Sequence, residues 1–560
     1  MNTPHELNGR ESRQINDFTD PFTLGPVIQN NSLRDFSPRV GLAYDLFGNG
    51  KTAIRGGAGI YYDMGNIGTA LGQTANGSLP YAGLVDVNPA ANTPNPCPVV
   101  NNTTPPQTCT PSIESWEAST LGTTANGFPL PVPAAVRSYY LPSTPGVFTP
   151  TFIDYNWKSP YMIQYNASVQ QQLPWNMVLG VAYVGNHGVH LPMVRDGNPI
   201  SPTSFGPCGD PASVCVGGQV PFWDNSLPSY TNLNPNFGSD INVATVATSR
   251  YNALQVVLQK QASHGLELEA AYTRSRVIDE TQGQSNVQDC VTSGGLLGTY
   301  PLNTSVDRGP ACFNILNNWE INVLYHIPQF VKSNGFLSKA ANGWFMSSIV
   351  SIQSGQPFSP LIATNRSNSG VLQGGQGDRP DINTAALLAA YPCTSQPGAP
   401  AFGSNPCAYT PVLYNPKTVI TGDPNNWING AMFSLPPACT GTGLTNCSDT
   451  IGQLGTAPRN SLTGPPERDW DFSLVKDTKV GFLGEAGMVE FRAEFFNVIN
   501  HPNFAGGMHF STQIFNGACS PQPSCAPEIG PFSEAPSNGR VNEEVQDGQR
   551  EIQFALRLEF

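Results

Sequence analysis

Apolar and polar residues alternate strictly along several parts of the chain, which is the pattern of a β-strand whose two faces differ. In 266–275, for example, Leu266 and Leu268 point to one face while Glu267 and Glu269 point to the other. Eleven segments show this pattern, most of them 10–14 residues long: 36–47, 51–62, 160–173, 176–186, 250–261, 265–277, 317–327, 343–354, 469–478, 487–499 and 548–560. Strands of globular proteins have about 5–6 residues, whereas a tilted strand that crosses a bilayer needs about 9–11. The lengths therefore favour membrane-spanning strands.

The links between these segments alternate in length. The short links are 48–50, 174–175, 262–264, 328–342 and 479–486, and the long links are 63–159, 187–249, 278–316, 355–468 and 500–547. This alternation is typical of outer-membrane barrels, which have short periplasmic turns and long extracellular loops. We expect an all-β fold: an antiparallel transmembrane β-barrel of about 11–15 long strands, open or incomplete. A water-soluble β-sandwich also alternates and is the alternative.

The composition agrees with a membrane barrel. Charged residues are only 12% of the chain, and 27 basic against 40 acidic residues give a net charge of −13. An acidic chain without a basic block argues against a nucleic-acid partner, and no apolar run is long enough to predict a transmembrane helix. Segments 64–158 and 401–468 are rich in Pro, Gly, Asn and Thr. We expect them to be elaborate loops with a few short hairpins and little internal core.

The twelve cysteines fall into six close pairs, and all of them lie in the long links. None has the C-x-x-C spacing of a zinc or redox motif, so local disulfides in an oxidising compartment are the prediction, and free surface thiols are the alternative. The proposed pairs, which rest on proximity alone, are Cys97–Cys109, Cys208–Cys215, Cys290–Cys312, Cys393–Cys407, Cys439–Cys447 and Cys519–Cys525.

Several motifs resemble those of a known family. Phe36-Ser-Pro-Arg-Val-Gly-Leu-Ala-Tyr-Asp, followed by Gly48-Asn-Gly-Lys-Thr-Ala-Ile-Arg-Gly-Gly-Ala-Gly-Ile-Tyr-Tyr-Asp, resembles a hairpin of the Oar-like TonB-dependent outer-membrane receptors of Acidobacteria-type bacteria. Further matching motifs lie at 159–166, 180–188, 251–255, 271–275 and 492–504, the last being Arg492-Ala-Glu-Phe-Phe-Asn-Val-Ile-Asn-His-Pro-Asn-Phe. No motif is decisive alone, but the ordered set covers nearly all of 36–560.

The resemblance implies a receptor that imports a large solute, such as an oligosaccharide, a peptide or a siderophore. Energy would reach it from the TonB system through a plug segment. Such receptors have about 22 strands, so 36–560 is expected to be the C-terminal half or so of the barrel, with the plug outside this chain and 1–35 as a remnant or linker. The first residues also lack the pattern of a signal peptide. The implied location is the outer membrane, with lipid and the barrel assembly machinery as partners.

Residues for enzymatic chemistry are not evident in the sequence. The seven histidines are scattered without an H-E-x-x-H motif, and Gly48-Asn-Gly-Lys is a hairpin turn rather than a phosphate loop. We therefore expect no enzyme, no cofactor and no catalytic or metal site. Asp378, Asp381 and Asp423 could offer oxygen ligands to calcium, but turn-forming residues in a loop are the simpler interpretation.

Two further sets of residues are candidates for function. Polar residues expected to face the barrel lumen could contact a solute: Arg39, Arg55, Gln164, Gln255, Glu267, Glu269, Glu320, Glu490, Arg492 and Glu494. The final strand places four apolar residues on one face, Phe554, Leu556, Leu558 and Phe560, and resembles the signal recognised by the outer-membrane assembly machinery. A surface-exposed binding or adhesion protein without active transport is the alternative function.

Overall fold

The computed structural model describes residues 34–63, 151–153, 157–209, 213–233, 241–280, 300–332, 335–362, 365, 367–370, 378–386, 413–424, 426–434, 436, 451–480, 487–504, 513–515 and 549–560. In chain order the strands are β1 (Arg39–Asp45), β2 (Thr52–Tyr62), β3 (Thr151–Ile153), β4 (Tyr161–Leu173), β5 (Met177–Asp196), β6 (Ser204–Pro207), β7 (Gln219–Asp224), β8 (Ile241–Ser263), β9 (Leu266–Asp279), β10 (Gly309–Pro310), β11 (Asn317–His326), β12 (Trp344–Gln353), β13 (Pro357–Phe358), β14 (Leu361–Ile362), β15 (Asp381–Ile382), β16 (Ile420–Asp423), β17 (Asn426–Ile428), β18 (Phe433–Ser434), β19 (Ile451–Gly452), β20 (Leu462–Thr463), β21 (Glu467–Lys479), β22 (Met488–Phe496), β23 (Gln513–Phe515) and β24 (Glu551–Glu559).

Eleven of these strands form one continuous antiparallel sheet, which we call the wall. Their spatial order is β1-β2-β4-β5-β8-β9-β11-β12-β21-β22-β24, so each long strand pairs with the next one along the chain. These are the eleven segments expected from the alternation, in the expected order. The short strands β3 and β10 add to the sheet beside β8 and β9. Among the described residues, β1 pairs only with β2, and β24 pairs only with β22.

The pairing register divides the wall into two chemically different faces, because directly paired residues of antiparallel strands lie on the same side. One series of pairs runs from Leu42 through Gly56, Ala167, Tyr183 and Leu254. We call this side the apolar face, and further along the sheet it also carries Tyr272, Trp319, Val350, Trp470, Phe491, Phe554 and Leu556. The opposite side is the polar face.

Two wall strands are much longer than the sequence pattern predicted. β5 has 20 residues and β8 has 23, whereas alternation was expected to end at residue 186 and to begin at residue 250. The added parts pair with each other beyond an irregularity between Gly188 and Leu191. There Met193, Val243 and Ala244 are buried. Other segments pack against this extension, so its residues lose the two-sided pattern that marks the rest of the wall.

The long links fold into a compact body above one end of the wall, which we call the cap: the described residues of 197–233, 300–316 and 354–466. It contains small sheets formed by β6-β7-β19, β13-β20, β15-β18 and β16-β17, and β14 pairs with β23 from the last long link. Short 3₁₀ helices span Thr304–Asp307 and Gly430–Met432. The cap has real hydrophobic clusters, one of which consists of Phe358, Ile362, Val419, Trp427, Ile428, Met432, Phe433, Ala457 and Leu462. A second joins Trp223, Tyr300 and Leu454 from three different links.

This hydrophobic packing corrects the expectation that 401–468 has little internal core. The segment was misjudged because its apolar residues show neither a period of two nor a helical period. They meet only when turns rich in Pro, Gly and Asn bring distant positions together. Segment 64–158 lies outside the described residues except at 151–153 and 157–158.

The motif at 492–504 builds the turn that ends β22. Asn497 and Asn500 adopt positive φ values of 45° and 52°, which asparagine tolerates better than most residues. The Asn497 side chain accepts from the backbone N–H of His501 and donates to its carbonyl, and Asn503 makes the same pair of bonds with Arg468 at the start of β21. The asparagines of this motif therefore have a structural role. The α-helix α1 (Phe336–Ala341) lies in the short link between β11 and β12. Among the described residues, no helix has the length and hydropathy needed to span a bilayer.

Candidate functional site

A cavity of about 660 Å³ opens on the polar face of the wall, close to the cap. Strands β4, β5, β8, β9 and β11 form the floor of the cavity, and the link that precedes β11 forms its upper rim. The polar side chains that line it are Asn186, Ser249, Tyr251, Thr273, Ser275, Asp279, Asn314 and Asn318, and the apolar ones are Met162, Leu191, Val277, Phe313 and Ile315. Neighbouring strands supply these residues at adjacent register positions, so the sheet itself fixes their spacing.

The link 311–316 is tied firmly to the end of β9. Ala311 donates its backbone N–H to the Val277 carbonyl at 3.1 Å, and the N–H of Val277 donates to Asn314 Oδ1 at 2.7 Å. The Ser275 hydroxyl donates to the Ile315 carbonyl at 2.7 Å. These bonds hold Phe313 and Asn314 at the rim of the cavity.

Most polar groups of the cavity are neutral, and several are unused by the protein. Within the described part of the chain, the side chains of Asn186, Tyr251 and Thr273 make no hydrogen bond, so their donors and acceptors are available to a solute. The one carboxylate of the lining, Asp279, accepts from Arg459 Nη1 at 2.8 Å, and both side chains are buried. The cavity therefore offers hydroxyls, amides and apolar surface rather than a net charge.

One buried ion pair attaches the cap to the wall beside the cavity, and a second joins two links within the cap. Arg459 donates from Nη1 to the Asp279 carboxylate and also to the backbone carbonyls of Asp279 and Asp307. Arg379 donates from Nη1 to Asp307 Oδ1 at 2.8 Å and from Nε to the Ala457 carbonyl at 2.9 Å. Because a buried charge is tolerated only when it is paired and hydrogen-bonded, these contacts fix the cap in one position.

The ten lumen candidates predicted from the sequence all lie on the polar face, as the pairing register shows. None of them lines the cavity. Arg492 forms ion pairs with its own-strand neighbours, to Glu490 Oε1 at 2.5 Å from Nε and to Glu494 Oε1 at 3.9 Å from Nη1. Arg55 donates to Gln170 across the β2–β4 pair. The charge pattern of 490–494 thus serves contacts within the wall.

Sequence reasoning missed the cavity residues. Tyr251, Thr273 and Asn318 belong to predicted strands, but nothing in the alternation separates them from other polar-face residues. Phe313 and Asn314 lie in a link without periodicity. The only usable signal was the position of these strand residues near the long-link ends of their strands, which is where a cap can enclose them.

The loop carboxylates considered for calcium have structural partners. Asp378 accepts from the backbone N–H of Ser367 at 2.5 Å and from its hydroxyl at 3.0 Å, and Asp381 Oδ1 accepts from the N–H of Thr456 at 2.8 Å. Asp423 lies exposed at the β16–β17 hairpin. In the portion of the chain that the structure describes, no group of three or more His, Cys, Asp or Glu side chains is arranged to hold a metal.

One of the six predicted disulfides is visible. Cys208 and Cys215 are bonded, with their Cα atoms 5.5 Å apart, and they close the turn between β6 and β7. Cys312 is also disulfide-bonded, but its proposed partner Cys290 lies outside the described residues. Eight further cysteines also lie outside the described residues: Cys97, Cys109, Cys393, Cys407, Cys439, Cys447, Cys519 and Cys525.

The proposed assembly residues lie on the last wall strand. Phe554 pairs with Ala493, Leu556 with Phe491 and Leu558 with Val489, all on the apolar face. Phe554 and Phe491 stack with ring centroids 6.3 Å apart. Phe560 follows the strand and is exposed. Phe554, Leu556 and Leu558 therefore share one face of the sheet, as expected.

The sequence matches a family described as "Outer membrane beta barrel domain" over residues 8–553. The chain therefore belongs to that family, and it is a protein of the outer membrane. No curated protein matches it in sequence. The fold and the two-faced wall agree with this class, because outer-membrane strands turn an apolar face to lipid and a polar face to the interior.

Solved structures with some likeness include YddB, an outer membrane transporter of Escherichia coli, at 10% identity and a TM-score of 0.38, covering 94% of this chain and 40% of that one. A variant of the ferric enterobactin receptor PfeA of Pseudomonas aeruginosa gives 9% identity and a TM-score of 0.33, covering 93% and 40%. FpvA of P. aeruginosa bound to a heterologous pyoverdine gives 8% identity and a TM-score of 0.28, covering 85% and 30%. The chain thus spans about two-fifths or less of the length of these proteins.

Proposed function

We propose that this chain is the barrel part of a TonB-dependent receptor that takes up a large solute across the outer membrane without chemical conversion. The observation that carries the proposal is the cavity on the polar face, which lies on the lumen side of a membrane wall and directly beside the cap. A solute that enters past the cap would meet these side chains first. The motifs of 36–63 and 492–504 support the Oar-like subtype.

The chemistry of the cavity favours a neutral, hydroxyl-rich solute such as an oligosaccharide. The hydroxyls of Tyr251 and Thr273 and the amide of Asn186 can exchange hydrogen bonds with sugar hydroxyls, and the rings of Tyr251 and Phe313 offer apolar surface to sugar C–H groups. Among the described residues that line the cavity, a negatively charged ferric siderophore would find no unpaired cation, because the nearby Arg459 is paired with Asp279. A peptide is the third solute class to be tested.

In this function the short links face the periplasm and the cap faces the outside, as in other outer-membrane barrels. The TonB system would act through a plug segment in the barrel lumen. The proposed orientation gives the cysteine-bearing links an oxidising environment, in keeping with the disulfide between Cys208 and Cys215.

The solute class is tested on the full chain purified in detergent, with three kinds of probe: neutral malto-, cello- and xylo-hexaoses, a ferric catecholate, and an alanine-based hexapeptide. Calorimetry should detect binding of at least one hexaose. Tyr251→Phe should weaken this binding about fivefold, because a hydrogen bond contributes about 1 kcal/mol. The matched control, Tyr325→Phe, removes a hydroxyl from the apolar face and should have no effect. Binding of the ferric catecholate alone would reject the neutral solute.

Receptor activity is tested separately in cells. Accumulation of the labelled solute should disappear when the gene for this chain is deleted, and also when TonB is inactivated. Accumulation that persists without TonB would contradict the receptor, whatever the solute is.

A surface-exposed binding or adhesion protein is the second candidate, and the folded cap is the observation that favours it. A cap with two hydrophobic clusters and buried ion pairs presents a fixed outer surface, which suits binding to an external partner. Cells that bind a surface through this protein but accumulate no solute would favour this function over transport.

We also propose that Phe554, Leu556, Leu558 and Phe560 form the signal for the barrel assembly machinery. The shared face of Phe554, Leu556 and Leu558 and the terminal position of Phe560 support this role. Deleting Phe560 from the full-length gene should lower the amount of protein in the outer membrane, measured by quantitative immunoblotting of membrane fractions. Unchanged amounts would reject the signal.

A further inference from the structure

The lysines of the chain are distributed unevenly between the two ends of the wall. Only two of the eight, Lys158 and Lys417, lie toward the long links and the cap. The other six lie at or within a few residues of the short links: Lys51, Lys260, Lys332, Lys339, Lys476 and Lys479. This end of the wall therefore carries compact positive charges although the chain as a whole is acidic.

The charges at the short-link end are also sorted by face. Lys260 pairs with Leu268, and Lys476 pairs with Phe491, so both lysines lie on the apolar face. The acidic residues of the same end, such as Glu267 and Glu490, lie on the polar face. Among the described wall residues, the charged side chains that lie on the apolar face at its short-link end are all basic.

The link between β11 and β12 is a folded element rather than a simple turn. Asn342 organises it: its Oδ1 accepts from the backbone N–H groups of Phe330 and Val331, and its Nδ2 donates to the Val331 carbonyl at 2.7 Å. The same Nδ2 donates to Ser338 Oγ at 3.0 Å, which joins α1 to the preceding segment.

This link displays large apolar side chains to the surroundings. Phe330 is 66% exposed, Phe336 is 84% exposed and Leu337 is 73% exposed. Between residues 327 and 344 the sequence has two lysines, Lys332 and Lys339, and no acidic residue. Such a combination of exposed apolar and basic side chains is typical of elements that lie in a membrane interface.

Two contacts join the link to the apolar face. Trp344 Nε1 donates to the Ala340 carbonyl at 3.0 Å, and Lys476 Nζ donates to the Asn342 carbonyl at 2.5 Å. Both side chains belong to apolar-face positions, and they pair with each other across β12 and β21. The exposed residues of the link therefore continue the lipid-facing surface of the wall rather than the lumen.

We propose that the described residues of this link, 327–332 and 335–343, form a binding surface for anionic phospholipid at the membrane leaflet next to the short links. Phe330, Phe336 and Leu337 enter the boundary between headgroups and acyl chains. Lys332 and Lys339 contact headgroup phosphates, and Lys260 extends the basic margin along the wall, whereas the buried Lys476 holds the link in place through the Asn342 carbonyl. Long lysine side chains suit this position because their stems lie on apolar surface while the ammonium groups reach the phosphates. The inference depends on the membrane location and not on the solute.

The charge component is tested by native mass spectrometry of the full chain in detergent, with phosphatidylglycerol or phosphatidylethanolamine added. The protein should retain phosphatidylglycerol preferentially. Lys332→Gln/Lys339→Gln should weaken this retention on the order of tenfold, because each lysine near an anionic surface adds measurably to binding. The matched control, Lys158→Gln/Lys417→Gln, removes the two lysines of the opposite end and should change nothing. Equal losses in both double variants, or no preference for phosphatidylglycerol, would overturn the proposal.

The apolar component is tested in cells with a photo-crosslinking residue, benzoylphenylalanine, in place of Phe336. Irradiation should give a phospholipid adduct. The same residue in place of Phe205, which is an exposed phenylalanine of the cap, should give none with phosphatidylglycerol. A protein adduct at position 336 would show that the link contacts a protein partner and would overturn the proposal.

Discussion

The wall and the cap use the same kinds of apolar side chain in opposite ways. On the wall, Val40 is 71% exposed, and Phe554 and Leu556 are exposed by 69% and 68%. In the cap, Ile362, Ile428 and Leu462 are each exposed by 1% or less. The difference reflects the solvent of each region: lipid accepts the apolar face of the wall, whereas the cap lies in water and must bury its own apolar surface.

The two regions also satisfy polar groups differently. The wall pairs its backbone with that of neighbouring strands, in ladders that run the length of each strand. Apart from β7, the strands of the cap have only two to four residues. Side chains therefore satisfy many of its backbone polar groups, as Asn383 does by donating to the carbonyls of Ala431 and Phe433. The wall should therefore tolerate single substitutions better than the cap, and four predictions test this difference.

The largest effect is expected for Arg459→Ala. This change removes the buried arginine that forms an ion pair with the buried carboxylate of Asp279, which costs about 3–5 kcal/mol of stability. Hydrogen–deuterium exchange should accelerate throughout the cap while the wall strands stay protected. The control is Arg308→Ala, because Arg308 is 42% exposed in its pair with Glu280 and should matter much less. Equal effects of the two variants would contradict the assigned role of the buried pair.

The second largest loss of stability is expected for a substitution in the hydrophobic core of the cap. Leu462→Ala leaves a cavity in the larger cap cluster and should cost about 3 kcal/mol. Leu254→Ala removes the same atoms from the apolar face, where Leu254 is exposed and lipid can fill the space. Urea titrations followed by proteolysis of the cap should show a lower midpoint for the first variant only. A similar shift for both would mean that wall and cap unfold as one unit.

Within the wall, Gly185→Ala should have a moderate effect. A Cβ at this position would lie 2.3 Å from the ring of Tyr165, which crosses Gly185 to donate its hydroxyl to Asn252 at 2.8 Å. Displacing the ring should cost about 1–3 kcal/mol, measured as a lower temperature of heat-induced mobility change in gel electrophoresis. Gly41→Ala is the control, because its nearest neighbour is the Gly56 carbonyl oxygen at an ordinary 3.9 Å. If Gly185→Ala left the transition temperature unchanged, the ring of Tyr165 would have room to move.

The smallest effect concerns pH. Burial raises the pKa of Tyr230, Tyr300 and Tyr414, all of which lie in the cap. A phenol whose folded-state pKa is raised contributes stability below its unfolded pKa of about 10, and this contribution is lost as the pH rises through the folded-state value. The cap should therefore loosen at strongly alkaline pH before the wall does, as seen by proteolysis. Tyr414→Phe should flatten this dependence, and an identical pH profile for the variant would reject the role of Tyr414.

The wall was predictable from the sequence because its determinants are local. A period of two follows directly from strand geometry, and a bilayer demands the same strand length throughout, so eleven segments and their shared faces could be identified one by one. The prediction failed at β5 and β8, whose ends extend beyond the alternating part of the wall toward the cap. There, burial on both sides removes the alternation on which the prediction depends.

The sequence by itself determined the strands, their order, the two faces and the outer-membrane class, since each depends on residues close together in the chain. Only the tertiary structure decided the cap and the cavity. Arg459 meets Asp279 across 180 residues, and the cavity combines side chains from five strands and one link. No local pattern marks such contacts, because they are selected by the free energy of burying and pairing distant groups after the strands have already formed.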